Sequence, residues 1–148
     1  MQTATGETIL YSGNPSEDQH VKGVGLILSR VAADSLLAWE LVSERVIAAR
    51  FASKCQNMSI IQVYARTNDT TEEEKESFYH RLQTVYDRTP RRYVTIVIGD
   101  VNAKIGNNNT DLETVMGQHG LGSMNENSEI LADFCTSNDR NWGYYLPP

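Results

Sequence analysis

The sequence predicts an α/β protein of the mixed α+β kind, with two sheets packed as a sandwich and helices at their flanks. Three observations support this class. Runs rich in β-branched and aromatic residues fill the first half, an amphipathic helical segment follows them, and an apolar strand follows that helix. With 148 residues and 40% hydrophobic content, the chain is long enough for one domain with a buried core. We therefore expect one domain over residues 1–148.

Four short segments in the first half have strand character. Two of them flank the polar, turn-rich segment Gly13–Lys22, which predicts a loop. The other two are separated only by Ser53–Asn57, which predicts a hairpin. Ala32–Leu37 is predicted to form a helical turn. The predicted strands are Glu7–Ser12, Gly23–Ser29, Arg45–Ala52 and Met58–Tyr64.

The clearest helix is predicted at Thr71–Arg88. Thr70 with Glu73 three residues later has the form of a capping box, and Thr89-Pro90 ends the segment. Apolar side chains recur along it at helical spacing and form one stripe. That stripe consists of Phe78, Leu82, Val85 and Tyr86.

The second half contains one more strand and one more helix. Val94–Ile98 is apolar at every position but Thr95, which predicts a strand covered on both faces. Asn107–Asn109 predicts a loop, and Ser128–Asn138 predicts a helix with one apolar side. That side would carry Ile130, Leu131, Phe134 and Cys135.

Composition argues against several classes of protein. No apolar run approaches the roughly 18 residues that a membrane span needs, and the first residues lack the pattern of a signal peptide. Cys55 and Cys135 form no disulfide framework, so we expect free thiols and an intracellular location. The net charge of −6 argues against a basic coat for nucleic acid, although a local basic track stays open.

The end of the apolar strand carries the residues of greatest chemical interest, in the sequence Gly-Asp-Val-Asn. Asp100 offers a hard oxygen ligand for Mg²⁺ or a group that activates water, and Asn102 offers an amide that can donate to a phosphate oxygen. The pair therefore suits phosphoryl chemistry. An ordinary turn is the alternative, and on spacing alone the turn is favoured because Asp and Asn are common turn residues.

Several segments resemble a known family. Met58–Thr67, then a helix, then VTIVIGDVNA follow the order found in the endonuclease/exonuclease/phosphatase superfamily. The resemblance is stronger to the endonuclease domain of RTE-type non-LTR retrotransposons, and it runs from about Glu7 to Asn138. It implies a deoxyribonuclease I-like sandwich, DNA as partner, Mg²⁺ or Mn²⁺ as cofactor, and a reverse transcriptase domain in the full-length relative. The segments are ETILYSG, GVGLILS, WELVSERVIAARF, GDVNAKIG and GQHGLGSMNENSEILADFC.

The resemblance implies roles for individual residues. Asp100 would bind the metal and orient or deprotonate the attacking water. Asn102 would bond the scissile phosphate, and Tyr64 would contact the phosphate or position the catalytic groups. Asn125 would contact DNA. Arg66 replaces the proline of the family's Tyr-Ala-Pro motif and can reach a DNA phosphate.

Structural alternatives stay open for these positions. Tyr64 can equally be a strand end packed on the core. Asn125 and Asn127 can cap the second helix, and the cap is favoured for Asn127. Arg45 is interpreted as a structural or ion-pairing arginine.

The resemblance is incomplete at both ends. The family's first asparagine and metal-binding glutamate would precede the segment matched by Glu7–Ser12, and its late Ser-Asp-His motif does not match His20, His80 or His119. Loss of general acid–base catalysis alone costs roughly 10²–10⁴-fold in rate. We therefore expect a partial endonuclease domain that is weak or inactive in isolation. A non-catalytic binding domain and a phosphoesterase for lipid or small-molecule phosphates are the alternatives.

Overall fold

The computed structural model describes residues 1–12, 23–65, 67, 70–117, 120 and 122–138. The predicted loop Gly13–Lys22, Arg66, His20 and His119 lie outside the described residues. The described part forms two compact units. Unit 1 consists of Met1–Ala65 and His80–Asp100, and unit 2 of the described residues within Arg66–Tyr79 and Val101–Pro148.

Unit 1 contains a two-stranded and a four-stranded sheet, and three helices occur in the described residues overall, so the predicted mixed α/β class is confirmed. The four-stranded sheet has the order β3-β4-β5-β6. Its β5–β6 pair is parallel, and its other pairs are antiparallel. The elements of unit 1 are β1 (Thr8–Tyr11), β2 (Gly25–Leu28), α1 (Arg30–Asp34), β3 (Leu36–Ser43), β4 (Val46–Phe51), β5 (Met58–Tyr64), β6 (Val94–Asp100) and the second part of α2 (Glu72–Arg88).

The hairpin predicted around Ser53–Asn57 is confirmed, because β4 and β5 pair antiparallel from Val46↔Val63 to Phe51↔Met58. The segment before it differs from the prediction. The helical turn predicted at Ala32–Leu37 begins earlier, at Arg30, and Leu36 already starts a strand. Strand β3 was not predicted, because leucine and glutamate within it favour helix and only the pairing with β4 makes the segment extended.

The core of unit 1 lies between its two sheets. Side chains of the β1–β2 sheet pack on one face of the four-stranded sheet, chiefly on Ile47 and Phe51. Ile61 and Val63 alternate to the opposite face and are fully buried as well. Burial on both faces of β4 and β5 stabilises the centre of the sheet through the hydrophobic effect. The buried cluster between the sheets consists of Leu10, Val24, Leu26, Leu28, Ile47, Ala49 and Phe51.

Strand β6 is confirmed as a strand and extends to Asp100, but the prediction that it is covered on both faces is wrong. Val94, Ile96 and Ile98 are 41%, 39% and 38% exposed. Within the described residues β6 pairs only with β5, at the end of the strand order. Ile96 is paired with Ile60, the partly buried neighbour of the core, so it lies one strand beyond the covered area.

Helix α2 is confirmed within one residue of its predicted start. The cap is Thr71 and not the predicted Thr70, because the Glu74 N–H donates to the Thr71 hydroxyl at 3.4 Å. The Thr70 hydroxyl instead donates to the carbonyl of Thr67. The predicted apolar stripe is buried at Phe78, Leu82 and Val85 and half-buried at Tyr86.

Unit 2 is organised around α3 (Glu126–Ser137) and the first part of α2. The ring of Tyr79 is 5.2 Å from that of Phe78, in an edge-to-face arrangement, and 6.4 Å from that of Phe134. The predicted second helix is confirmed, although it begins two residues earlier than predicted, at Glu126. Its predicted apolar side is buried at Leu131, Phe134 and Cys135 and half-buried at Ile130. No helix among the described residues is long and apolar enough to cross a membrane.

The two cysteines differ sharply in their surroundings. Both are free thiols, as predicted; Cys55 is exposed, and burial raises the pKa of Cys135 to about 12. Because the thiolate is the reactive form, we expect Cys55 to react quickly with a disulfide reagent at pH 8. Cys135 should react only after unfolding. Counting reacted thiols over time measures this. Cys55→Ser should remove the fast phase, and equal rates for both thiols would contradict the expectation.

Candidate functional site

Two of the predicted site residues lie side by side in unit 1. Tyr64 is the last residue of β5 and Asp100 the last of β6, and the two are directly paired in the parallel register. The Ala65 N–H donates to the Asp100 carbonyl at 2.7 Å and holds the strand ends together. Paired residues of adjacent strands share a face, so both side chains project from the same side of the sheet. Asp100 is exposed and Tyr64 is half-buried.

Gly99 makes this close pairing possible. Its φ of +130° lies in a region that side-chain-bearing residues rarely adopt. A Cβ atom at this position would lie 1.9 Å from the Val63 carbonyl oxygen, which is backbone and cannot turn away. The glycine of Gly-Asp-Val-Asn therefore sets the path that delivers Asp100 to its place beside Tyr64.

Arg45 fixes the backbone and the ring of Tyr64. Its Nη1 donates to the Tyr64 carbonyl at 3.2 Å, and the Tyr64 N–H donates back to the Arg45 carbonyl at 3.0 Å. The guanidinium carbon lies 5.1 Å from the centre of the Tyr64 ring, within range of a cation–π interaction. Glu44 forms an ion pair with Arg45 at 3.7 Å. The interpretation of Arg45 as structural and ion-pairing is confirmed, but no sequence signal indicated that its partner is Tyr64.

The ring of Tyr64 also packs against the core of unit 1. This is the arrangement that the alternative interpretation, a strand end packed on the core, expected. A core-packed ring and a phosphate-contacting hydroxyl are compatible, because a tyrosine joins an apolar body to a polar tip.

Asn102 belongs to unit 2, two residues after the end of β6. Its φ of 48° is left-handed, a conformation that asparagine adopts more readily than most residues. The Asn102 carbonyl accepts hydrogen bonds from the side-chain amides of Asn125 and Asn127, each at 3.1 Å. The segment that carries the predicted phosphate ligand is thereby bound to the start of α3.

Asn125, and not the predicted Asn127, caps α3. The Asn125 Oδ1 accepts from the N–H groups of Ser128 at 3.0 Å and Lys104 at 3.1 Å, and Ser128 completes a capping box. The cap falls on Asn125 because Ser128 stands three residues later, where the reciprocal bond forms. Asn127 is instead buried in the first turn, 2% exposed. A DNA contact by the half-buried Asn125 stays a prediction.

An ion-pair cluster lies beside this cap in unit 2. The Lys75 side chain is 3% exposed, and its Nζ lies 2.6 Å from Glu126 and 3.0 Å from Glu72. These hydrogen bonds, to Glu126 above all, raise the pKa of Lys75. The hydrogen bond from Lys75 lowers the pKa of Glu126.

The lowered pKa of Glu126 predicts a dependence of stability on pH. A carboxylate whose pKa is lower in the folded state stabilises that state above the unfolded pKa, roughly 4.3, and the contribution is lost as the pH falls through the folded value. We expect Glu126→Gln to reduce the unfolding free energy at pH 7 and to flatten its fall in acid. Urea unfolding at pH 7, 5, 4 and 3 measures both effects. Glu129→Gln, an exposed change on the same helix, is the control. Equal acid slopes for Glu126→Gln and the native chain would contradict the assignment.

The described residues do not form a complete metal site. No three His, Cys, Asp or Glu side chains in the described part of the chain are placed to hold one together. Asp100, the predicted ligand, supplies one hard carboxylate. It fits Mg²⁺ only as part of a set, because Mg²⁺ commonly binds through one or two carboxylates together with waters and substrate phosphates.

The sequence was compared with family models and with curated proteins. No family model matches it. It is 36% identical over 130 residues to craniofacial development protein 2 from Bos taurus, and equally to the protein of that name from Tragulus javanicus. The chain is a homologue of craniofacial development protein 2. The alignments cover 88% of this chain but 21% and 22% of the two relatives, so the chain spans about one fifth of the length of the curated relatives it matches.

Proposed function

We propose that this chain is a metal-dependent, phosphodiester-cleaving DNA endonuclease domain, or a fragment of one, of endonuclease/exonuclease/phosphatase type. We further propose that it descends from an RTE-type retroelement and is weak or inactive in isolation. The observation that carries the proposal is the pairing of Tyr64 with Asp100 at the carboxyl ends of adjacent parallel strands. Ligands of open α/β sheets bind outside the carboxyl ends of the strands. An acidic and a phenolic group at that edge suit a phosphate and an attacking water.

Each residue has a distinct role in this proposal. The exposed carboxylate of Asp100 accepts a hydrogen bond from a water and orients it or removes its proton. The Asn102 amide is proposed, on the family resemblance alone, to donate to the phosphate that the water attacks. The Tyr64 hydroxyl donates to a second phosphate oxygen. Arg66 and Asn125 are proposed as contacts to flanking DNA phosphates.

Mg²⁺ or Mn²⁺ is the proposed cofactor, with Asp100 as its protein ligand. When bound, the ion would neutralise charge on the phosphate. Because the described residues bring no three metal-ligating side chains together, we propose that the isolated chain cleaves DNA slowly or not measurably.

A DNA-binding domain without catalysis is the second candidate. The observation that favours it is that no three His, Cys, Asp or Glu side chains among the described residues are placed to hold a metal ion together. Phosphate recognition by Tyr64 and Asn102 would survive in such a protein, because hydrogen bonds to phosphate require no metal.

Two assays on the full chain separate these functions. The first measures nicking of supercoiled plasmid with Mg²⁺, with Mn²⁺ and with EDTA. The second measures binding of a fluorescent DNA duplex, which should weaken as salt rises if phosphate contacts dominate. The variants are Asp100→Asn, Asn102→Ala and Tyr64→Phe. Asp34→Asn, an exposed change in α1, is the charge-matched control.

The outcomes are distinct. Metal-dependent nicking that Asp100→Asn abolishes and Asp34→Asn leaves intact would support the endonuclease. Salt-sensitive binding that weakens in Asn102→Ala or Tyr64→Phe, without nicking, would support the second candidate. A chain that neither nicks nor binds DNA would overturn both. In that case a separate assay that finds hydrolysis of a lipid phosphate, not inhibited by DNA, would favour a phosphoesterase.

A further inference from the structure

A cavity in unit 1 lies away from the strand ends that carry Tyr64 and Asp100. This cavity has a volume of about 330 Å³ and lies between the sheet and the end of α2. Sites for small molecules begin at about this size, near 300 Å³. The lining residues on which the inference rests are Glu40, Arg50, Ser59, Val85, Arg88 and Thr89.

The position of Ser59 separates this cavity from the proposed phosphodiester site. Ser59 precedes Tyr64 by five residues on β5, which corresponds to roughly 16 Å along an extended strand. Residues five apart on a strand also point to opposite faces of the sheet. The cavity therefore opens on the other face of the sheet and near the opposite end of the strands.

Arg50, Ser59 and Arg88 line the same cavity from three elements. Arg50 and Ser59 are directly paired across β4 and β5, which sets their Cβ atoms roughly 5 Å apart on one face. Arg88 approaches from the last turn of α2. Its Nη1 lies 3.8 Å from Glu40, and both side chains are more than half exposed, so the pair contributes little stability and can open. Two guanidinium groups against one carboxylate leave a net positive charge.

The Ser59 hydroxyl is a buried polar group on the wall of this cavity. Ser59 is 1% exposed, and its Oγ has no hydrogen-bond partner in the described part of the chain. A buried hydroxyl without a partner is unfavourable, so native proteins normally satisfy such groups with another polar atom. The cavity that Ser59 lines is the space from which such an atom can reach it, and Val85 supplies an apolar wall there.

We propose that this cavity binds a small organic anion. Its carboxylate or phosphate group lies between Arg50 and Arg88 and accepts the hydrogen bond of the Ser59 hydroxyl, while its apolar body packs on Val85. Arginine suits this role because its planar fork matches the oxygens of both kinds of anion. The site is independent of the proposed DNA chemistry, since it shares no residue with Tyr64, Asp100 or Asn102.

An NMR titration of the full chain tests the proposal. Phenyl phosphate and benzoate are the anionic probes, and phenol is the neutral probe with the same ring. We expect either anion to shift the backbone amides of Arg50, Ser59, Arg88 and Thr89 in a saturable manner, and phenol to shift none of them. The probe that binds more tightly, phenyl phosphate or benzoate, shows whether the site prefers a phosphate or a carboxylate.

Variants assign the shifts to the cavity. Arg50→Gln should weaken binding by at least about fivefold and Ser59→Ala by about threefold. Arg81→Gln, the same charge change at an exposed position of α2 outside the cavity, should leave binding unchanged. The spectrum of each variant shows directly whether it is folded, and Ser59→Ala tests the site without a change of charge. Equal shifts with phenol, an absence of saturation, or affinities unchanged in both cavity variants would overturn the proposal.

Discussion

Gly99→Ala is expected to lower the unfolding free energy by at least about 3 kcal/mol, because a side chain at φ +130° is strained and its Cβ would lie 1.9 Å from the Val63 carbonyl oxygen. The strand must shift to relieve that overlap, and the pairing of Tyr64 with Asp100 is the part that yields. Urea unfolding followed by circular dichroism measures the loss. Hydrogen exchange of the Ala65 amide, which donates to the Asp100 carbonyl, reports the local opening.

Gly117→Ala is the matched control for this substitution. A Cβ at Gly117 meets no heavy atom within 4 Å, and its φ is not in the region that favours glycine. The control should change stability by no more than about 0.5 kcal/mol. If Gly99→Ala behaved like Gly117→Ala, the close approach of β6 to β5 at Val63 would be wrong.

Asn125→Ala is expected to cost about 2 kcal/mol, because one substitution removes the cap of α3, the acceptor for Lys104 and a donor to the Asn102 carbonyl. Asn125→Asp separates these roles. Aspartate keeps the capping oxygen and loses the donor to Asn102, so it should retain most of the stability. Urea unfolding gives the total effect, and exchange of the Ser128 amide reports the cap.

Asn107→Ala, an exposed change in the loop before α3, is the control for stability and should stay within about 0.5 kcal/mol of the native chain.

The variants Asn125→Ala, Asn125→Asp and Asn107→Ala also test function, through their DNA binding. If Asn102, or Asn125 itself, contacts phosphate, Asn125→Asp should weaken DNA binding more than its small loss of stability explains. Equal stability losses in Asn125→Asp and Asn125→Ala would show instead that the donor, and not the cap, holds this segment.

The strand that carries Asp100 could be predicted from sequence because its signals are local. An apolar β-branched run that stops at glycine and aspartate marks a strand and its end without reference to the rest of the chain. The helix at Glu72–Arg88 was equally predictable, since its stripe, its acidic start and Thr89-Pro90 agree. The class of two sheets with helices followed from the order of such segments.

Features decided by partners distant in sequence could not be predicted. Strand β3 exists through its pairing with β4, and its leucines and glutamate carry no strand signal of their own. The exposure of Val94, Ile96 and Ile98 depends on how far the β1–β2 sheet reaches across its neighbour. The partnership of Arg45 with Tyr64 joins residues 19 apart, and either asparagine of Asn-Glu-Asn satisfies the rules for a cap until Ser128 is considered.

The parallel pairing of β5 with β6 has a consequence for the order of folding. Each residue of β5 pairs with the residue 36 positions later, whereas β4 and β5 are joined by a short turn. Contacts between distant residues form late, because the chain first loses the entropy of the loop that connects them. We expect the β4–β5 hairpin to form early in folding. The pairing of Tyr64 with Asp100 should form late. A newly made chain would then bring the two paired residues of the proposed site together only in a late step of its folding.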